Sequence, residues 1–328
     1  MAAQRVLIIG GNGIISSSVS RLAVERGFDV TLLNRGRSTT RPPVEGATVI
    51  VGDADDAASV SAAVGAREFD IVANFRAFRP EQVAADVELF TGRTGHYLFI
   101  SSASAYQKPI AQLPIVESTP LRNPFWQYSR DKIACEEVLV AAYRESGFPM
   151  TIVRPSHTYD ETLIPLEGGW TTLKRMLDGK PVIVHGDGTS WWTLTHARDF
   201  APAFVGLFGN PHAIGSPVHI TGDESLTWDE ITRLLGRALG ASPRIVHVAS
   251  DAIAREVPAA GPGLVGDKAH SVLFDNTRIK TLVPGWVATT PFAEGAREIA
   301  AWYLADAARQ SVDAELDAAF DRLAAAHA

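Results

Sequence analysis

The chain has 328 residues, of which 46% are hydrophobic and 20% are charged, ordinary proportions for a globular protein. This length allows one large α/β domain or a main domain with a smaller partner. A net charge of −7, without a concentrated Lys/Arg run, argues against a general nucleic-acid surface.

The first half of the chain predicts strands and helices in alternation. The predicted strands are 6–9, 30–33, 48–51, 70–74, 97–100 and 150–153. The predicted helices are 14–26, 55–64, 80–91 and 125–146. Strands separated by helices of this length favour right-handed crossovers and a doubly wound parallel sheet of the Rossmann type.

After residue 155 the alternation stops, and Pro, Gly and Trp become frequent. The later predicted elements are isolated: strands 182–184, 218–221 and 245–248, and helices 227–239, 292–304 and 312–326. We expect residues 1–155 to form the dinucleotide-binding domain, with its sheet completed by about 181–210. Residues 156–180 and 211–328 are expected to form mainly a smaller substrate-binding lobe.

The lone cysteine excludes an internal disulfide and fits a reducing compartment. A strand begins almost at the first residue and leaves no room for a signal peptide, and no apolar run reaches membrane-spanning length. The histidines show no metal-ligand spacing, so no metal site is predicted. We therefore expect a cytoplasmic protein that acts on a small molecule, without nucleic-acid or membrane partners.

A glycine-rich turn, Gly10-Gly11-Asn12-Gly13, follows the first strand and opens the first helix. In this context Gly10 permits the tight turn, and Gly13 lets a pyrophosphate approach the N–H groups at the helix N-terminus. Ile14 and Ile15, which begin the helix, are expected to contact the dinucleotide too. Ser16 replaces the usual third glycine and is small enough to preserve the packing.

The end of the second strand bears on the choice between NAD and NADP. An acidic residue there would bind the ribose 2′-hydroxyl of NAD, but this chain has Asn34, Arg35 and Arg37. No anion repels a 2′-phosphate, so NADP is favoured over NAD, although both arginines could instead be solvated loop residues. Asp53, after the third strand, is expected to accept from the adenine amino group or else to cap a helix.

Tyr128 and Lys132 stand four residues apart on a predicted helix and therefore share a face. A tyrosine titrates near ~10, and an ammonium and an oxidised nicotinamide nearby would both favour its phenolate. Ser102 follows a strand at the carboxyl edge of the sheet, where open α/β sheets bind ligands. We predict that Tyr128 is the acid/base and that the Ser102 hydroxyl, as a hydroxyl anchor, bonds to the substrate oxygen. Lys132 is predicted to lower the pKa of Tyr128 and to bind the nicotinamide ribose.

These segments, with 100–106 and Arg154-Pro155, resemble the extended short-chain dehydrogenases/reductases, in particular the NAD-dependent epimerase/dehydratase family. The resemblance covers nearly the whole chain and implies a Rossmann domain, a C-terminal substrate lobe and a Ser/Tyr/Lys site. It places the hydroxyl anchor at Ser102, with Ser101 as the alternative, and implies that Pro155 contacts the cofactor. Residues 69–101 also resemble a subgroup that includes the chloroplast stem-loop RNA-binding proteins.

The chain departs from this family where sugar-nucleotide dehydratases carry an Asp-Glu pair after the catalytic Ser/Thr. Those places hold Ala103 and Ser104, so we expect no dehydratase activity and assign Ser104 to substrate contact. Relatives that bind nucleotide sugars also tend to place arginines where this chain has Trp192 and Leu264. A UDP- or dTDP-linked substrate is therefore not expected.

Three further residues are predicted to contact substrate in the second lobe. Trp191 and Trp192 offer flat apolar faces for a sugar ring, or else pack at a domain interface. His157 matches a position where relatives place a substrate-contacting Asn, or else it is a buried structural histidine.

Together these features predict an NAD(P)-dependent epimerase or dehydrogenase acting on a secondary alcohol or ketone of a carbohydrate-like substrate. One alternative is a cofactor-sensing or RNA-binding protein of epimerase-like fold without turnover; another is a ketoreductase of a small apolar carbonyl. The resemblance also implies a homodimer formed through the helices around the tyrosine helix. Ala134, Val138 and Ala141 suit that contact and suit a core role equally well.

Overall fold

Short runs rich in Val, Ile and Leu form the central strands, because both faces of a parallel sheet are covered by helices. The computed structural model describes residues 3–36 and 41–327. The strands of the described residues are β1 (Arg5–Ile9), β2 (Asp29–Asn34), β3 (Thr48–Val51), β4 (Phe69–Asn74), β5 (Thr94–Ile100), β6 (Met150–Pro155), β7 (His157–Tyr159), β8 (Pro181–His185), β9 (Trp191–Trp192), β10 (Leu194–His196), β11 (Ser216–Ile220), β12 (Leu226–Thr227) and β13 (Arg244–Val248).

The helices connect these strands and cover the sheet. Those of the described residues are α1 (Ile14–Glu25), α2 (Ala57–Val64), α3 (Pro80–Phe90), α4 (Gln127–Ser146), α5 (Trp170–Leu177), α6 (Ala197–Gly206), α7 (Trp228–Ala238), α8 (Ser250–Glu256), α9 (Gly261–Gly263), α10 (Thr277–Leu282), α11 (Phe292–Leu304) and α12 (Ala314–His327). No helix in the described part of the chain combines the length and apolar character needed to cross a membrane.

Seven strands form one parallel sheet in the order β3-β2-β1-β4-β5-β6-β11. The predicted Rossmann-type doubly wound sheet is therefore confirmed. Alternate residues of β1 enter two cores: Val6 and Ile8 pack on the side of α1 and α6, and Leu7 and Ile9 pack on the opposite side. The strand order reverses between β1 and β4, and such a switch point is where open α/β sheets bind ligands.

The seventh strand differs from the expectation. The sheet is completed by β11, which pairs with β6 through Val218 and Val153, and not by a strand within 181–210. In that interval β8 instead pairs with β13 outside the central sheet. The helix α6, also in that interval, does pack on α1 against the sheet. It was not predicted, and it carries an internal proline, Pro202, a residue that ordinarily argues against a helix.

A buried ion pair fastens α4 to the carboxyl ends of two central strands. The guanidinium of Arg154, in β6, donates through Nε and Nη2 to Glu136 on α4, at 2.9 and 2.6 Å. Ser101, which follows β5, donates its hydroxyl to the same carboxylate at 2.5 Å. All three residues are buried. The Glu136 carboxylate therefore fixes α4 to the carboxyl ends of β5 and β6, and Ser102 lies at the end of β5.

Substituting Glu136→Gln should destabilise the fold strongly. The substitution keeps the shape of the side chain but leaves the buried Arg154 charge without its partner, which costs about 3–5 kcal/mol of unfolding free energy. Urea denaturation followed by circular dichroism measures the change. The control is Glu137→Gln at the exposed neighbouring position, expected to stay within about 0.5 kcal/mol of the parent. Equal effects of the two substitutions would contradict the role given to the ion pair.

Candidate active site

The turn after β1 has a backbone that only glycine adopts readily. Gly10 has φ +84°, in the left-handed region, and a Cβ built there would lie 2.2 Å from Cγ of Arg76. Gly13 is the N-cap residue of α1. The first N–H groups of a helix have no intrahelical partners, so they remain available to a phosphate. The turn thus fits the pyrophosphate of a dinucleotide.

Ser16 closes this turn with its side chain. Its hydroxyl donates to the carbonyl of Gly10 at 2.6 Å and accepts from the N–H of Gly13 at 2.8 Å. The residue that replaces the third glycine therefore preserves the packing, as expected, and also holds the two remaining glycines in register.

The predicted cofactor contacts gather along one groove at this edge of the sheet. It is lined by Gly10, Gly13, Ile14, Ile15, Asn34, Arg35 and Asp53 among others. Arg37 lies outside the described residues. Lys132 is buried deeper, and Pro155 lines the neighbouring cavity instead of this groove.

Two polar residues of the groove have partners within the chain. Asn34 accepts the N–H of Gly36 at 2.9 Å through its side-chain oxygen. Asp53 accepts the N–H of Asp55 at 3.1 Å, but the cap of α2 is Asp56, which accepts from Ala58. The alternative role of Asp53 as the helix cap is therefore not seen.

Arg76 is a groove residue that was not assigned to the site from the sequence. It follows β4, lies over Gly10, and pairs with Asp55 at 3.1 Å with both side chains partly exposed. Its place directly after a strand next to β1 was the available signal. An arginine in a loop gives the same pattern when it is merely solvated.

The structure distinguishes the two adjacent serines after β5. Ser101 turns its hydroxyl to Glu136, away from any cavity, whereas Ser102 lines a cavity of about 360 Å³ beside the groove. The Ser102 oxygen accepts the N–H of Ser104 at 3.1 Å and lies 2.9 Å from the Ser104 hydroxyl, which itself accepts from Ser129 at 2.8 Å. With Ser104 donating to it, the Ser102 hydroxyl keeps its own hydrogen for a further acceptor.

Tyr128 lines the same cavity, next to Ser102. Burial raises the pKa of Tyr128 to about 12, and a hydrogen bond with Ser102 acts in the opposite direction. The sequence predicts that a nearby ammonium favours the phenolate, but within the chain alone the effect of burial on the Tyr128 pKa is larger. The phenol is protonated at neutral pH.

Lys132 is fully buried and makes two hydrogen bonds to the backbone. Its ammonium donates to the carbonyls of Ala77 and Ile100, both at 2.7 Å, and lies over the Phe78 and Phe99 rings. Burial lowers the pKa of Lys132 to about 8. An ammonium has three donors, so one remains for another acceptor, as a ribose-binding lysine requires.

The predicted substrate contacts divide between the cavity and the surface. Ser104, His157 and Trp192 line the cavity, and the Trp192 indole donates to Nδ1 of His157 at 3.1 Å. Trp191 does not line the cavity and is 48% exposed. Ile14 lines both the groove and the cavity, so the two are neighbours at the start of α1.

The fold and this site define a Rossmann-type protein in which a groove at the glycine turn lies beside a cavity lined by Ser102 and Tyr128. Residues 88–221 match the model of the NAD dependent epimerase/dehydratase family. Over this segment the chain is similar to this family, which lies within the extended short-chain dehydrogenases/reductases.

Two curated relatives and one solved structure illustrate the range of the family. The chloroplast stem-loop binding protein of 41 kDa b from Arabidopsis thaliana is 27% identical, over 74% of this chain and 66% of that protein. The 2′-dehydrokanamycin reductase of Streptomyces kanamyceticus is 26% identical, over 86% of this chain and 80% of that protein. The dTDP-glucose 4,6-dehydratase of Bacillus anthracis, in complex with NAD, superposes with a TM-score of 0.73 at 18% identity, covering 92% of this chain and 97% of that chain.

Substituting Gly10→Ala should impair nucleotide binding. The new Cβ must displace Arg76 in the groove, and we expect NAD(P) affinity to fall by more than about tenfold, equivalent to ~1.4 kcal/mol. The matched control is Gly27→Ala, at φ +82° with no atom within 4 Å of the added Cβ. Both substitutions cost backbone strain of about 1–2 kcal/mol in thermal unfolding. Calorimetric titration measures the NAD(P) affinity, which should fall in the Gly10 variant and stay unchanged in the Gly27 variant. Unchanged affinity in the Gly10 variant would rule out the turn as the binding site.

Proposed function

We propose that the protein is an NAD(P)-dependent oxidoreductase or epimerase that acts on a secondary alcohol or ketone of a carbohydrate-like substrate. The observation that carries this proposal is that Ser102 and Tyr128 line one cavity, which adjoins the groove at the glycine turn. Such a pair can hold the substrate oxygen and move its proton. The nicotinamide, when bound, supplies the exchangeable hydride.

Each of the three residues has a distinct task in this proposal. Ser102 donates its free hydrogen to the substrate oxygen and so fixes the orientation of the reacting carbon. Tyr128 gives a proton to that oxygen during reduction, or removes it during oxidation. Lys132 uses its remaining donor for the nicotinamide ribose. Since burial raises the Tyr128 pKa, the phenol carries its proton at neutral pH, which is the form that serves as the acid in reduction of a ketone.

The lining of the cavity supports a carbohydrate-like substrate over a small apolar carbonyl. Aromatic and aliphatic faces of Trp126, Leu163, Trp192 and Phe274 alternate with polar side chains. The polar side chains are those of Ser102, Ser104, Ser156, His157, Thr158, Thr193, Asp267 and Lys268. A sugar presents both apolar ring faces and hydroxyls, so it can use both kinds of lining, whereas a small apolar carbonyl would use mainly the apolar faces.

Dehydration is not part of the proposal. The Ser104 hydroxyl, at a position where dehydratases carry an acid, is engaged with Ser102 and Ser129. The one carboxylate among the described lining residues, that of Asp267, is paired with Lys108. An elimination would lack a free acid at the position where the related dehydratases have one.

We propose NADP as the preferred cofactor, with NAD as the alternative. Arg35 lines the groove from an exposed position, and none of the described carboxylates lies within 4 Å of it. Identifying the nucleotide released when the purified protein is denatured, then titrating the emptied protein with NAD and NADP, decides between them. Tightly retained NAD would contradict the NADP preference and indicate epimerase-like internal redox. Reversible NADP binding would support a reductase or dehydrogenase, and binding of neither would contradict the enzyme assignment.

Substituting Tyr128→Phe should lower kcat by roughly 10²–10⁴-fold, the usual contribution of a positioned acid/base, while nucleotide affinity stays the same. Turnover is followed by NAD(P)H absorbance, and binding by fluorescence. The control is Tyr143→Phe on the same helix, at a residue that is 40% exposed and lies about four helical turns beyond Tyr128. Parent-like turnover in the Tyr128 variant would contradict its role as the acid/base. An absence of turnover in the parent protein itself would favour the alternative, a cofactor-sensing or RNA-binding protein.

A further inference from the structure

The cavity that holds Ser102 and Tyr128 has two charged lining residues in the described part of the chain, Asp267 and Lys268. The Asp267 carboxylate is already neutralised, because it lies 3.1 Å from the ammonium of the fully buried Lys108. The wall therefore carries one uncompensated charge, that of Lys268.

Lys268 has no anionic partner of its own. None of the described carboxylates lies within 4 Å of its ammonium, and that ammonium makes no hydrogen bond among the described residues. Its backbone is held firmly, because its carbonyl accepts from Nε2 of His185 at 3.0 Å, from the indole of Trp228 at 3.2 Å and from the hydroxyl of Ser190 at 3.4 Å. The backbone that carries this charge is thus a fixed part of the cavity wall.

Two histidines near Lys268 are uncharged at neutral pH. Nδ1 of His157 accepts the indole N–H of Trp192, so the ring carries its hydrogen on Nε2. Burial, reinforced by the Lys268 charge, lowers the pKa of His157 to about 3. Burial likewise lowers the pKa of His185 to about 4. Neither imidazole supplies a negative charge, and neither adds a second positive one at neutral pH.

We infer that the substrate is a sugar acid, a carbohydrate-like alcohol or ketone whose single carboxylate pairs with Lys268. This inference rests on the proposed function and narrows its substrate class. A partly buried cation is stabilised when an anionic group of the bound substrate forms an ion pair with it, and one lysine balances the charge of one carboxylate. A diphosphate substrate is not favoured, because its charge would require more than one cation. An amino sugar is not favoured either, because its ammonium would be repelled by Lys268, and Asp267 is already paired with Lys108.

The test compares three probes that differ in charge: D-glucuronate, D-glucose and D-glucosamine. Each is titrated into the purified full chain with saturating NAD(P), at a pH where the carboxylate is ionised and the amine protonated. The signal is tryptophan fluorescence, since Trp126 and Trp192 line the cavity. The acid is expected to bind roughly 10- to 100-fold more tightly than the neutral sugar, the range of a hydrogen bond to a charged group.

Two variants assign the preference to Lys268. Lys268→Gln should remove the advantage of the acid, and Lys268→Glu should reverse it in favour of D-glucosamine. The matched control is Lys174→Gln at a partly exposed ion pair on α5, which should leave the order of the probes unchanged.

The outcomes separate this inference from the proposed function. An acid that binds no better than glucose, an absence of binding by all three probes, or a preference that survives Lys268→Gln overturns the sugar-acid inference. Turnover of a neutral or amino sugar without any acid preference overturns it while supporting the oxidoreductase. Acid-selective binding that Lys268→Gln abolishes supports it, even if no hydride transfer is seen, and in that case the oxidoreductase proposal is the one that fails.

Discussion

The geometry of the site depends on one carboxylate buried beneath it. Glu136 holds Arg154 of β6 and Ser101 after β5, and it lies on α4 one turn beyond Lys132 and two turns beyond Tyr128. The helix that carries Tyr128 and Lys132 is thereby tied to the strand end that carries Ser102. A hydroxyl pair is useful for catalysis only when it is held to within a fraction of an ångström, and a buried bidentate ion pair supplies that rigidity.

Most of the Rossmann half could be predicted from the sequence because its signals are local. Apolar runs bounded by glycine or polar residues gave β1 to β6 to within a few residues, and the turn at Gly10 stood where a strand meets a helix. Tyr128 and Lys132 share a face because of helical periodicity alone. The choice of Ser102 over Ser101 was a matter of register, and the structure shows its physical basis, since the two hydroxyls point to opposite sides.

The second lobe was less predictable because its elements are defined by partners distant in sequence. β8 and β13 were predicted as strands, but they pair across some sixty residues, and the sequence does not show that pairing. β9 and β12, which pair with each other, are too short to show a period of their own. The charge balance of the cavity has the same origin. Lys108 meets Asp267 only through the tertiary fold, so the sequence alone does not show that Asp267 is paired while Lys268 is not.

The two carbonyl contacts of Lys132 bear on how related chains are to be interpreted. This ammonium joins the segment after β4 to the end of β5, and so supports the architecture whether or not any reaction occurs. A descendant that lost turnover and kept only ligand binding would still be under selection to retain the lysine. Within the part of the chain that the structure describes, the Tyr128 hydroxyl makes no such backbone contact. Replacement by phenylalanine at that position, with the lysine preserved, would be the expected sign of a member that has become a binding protein.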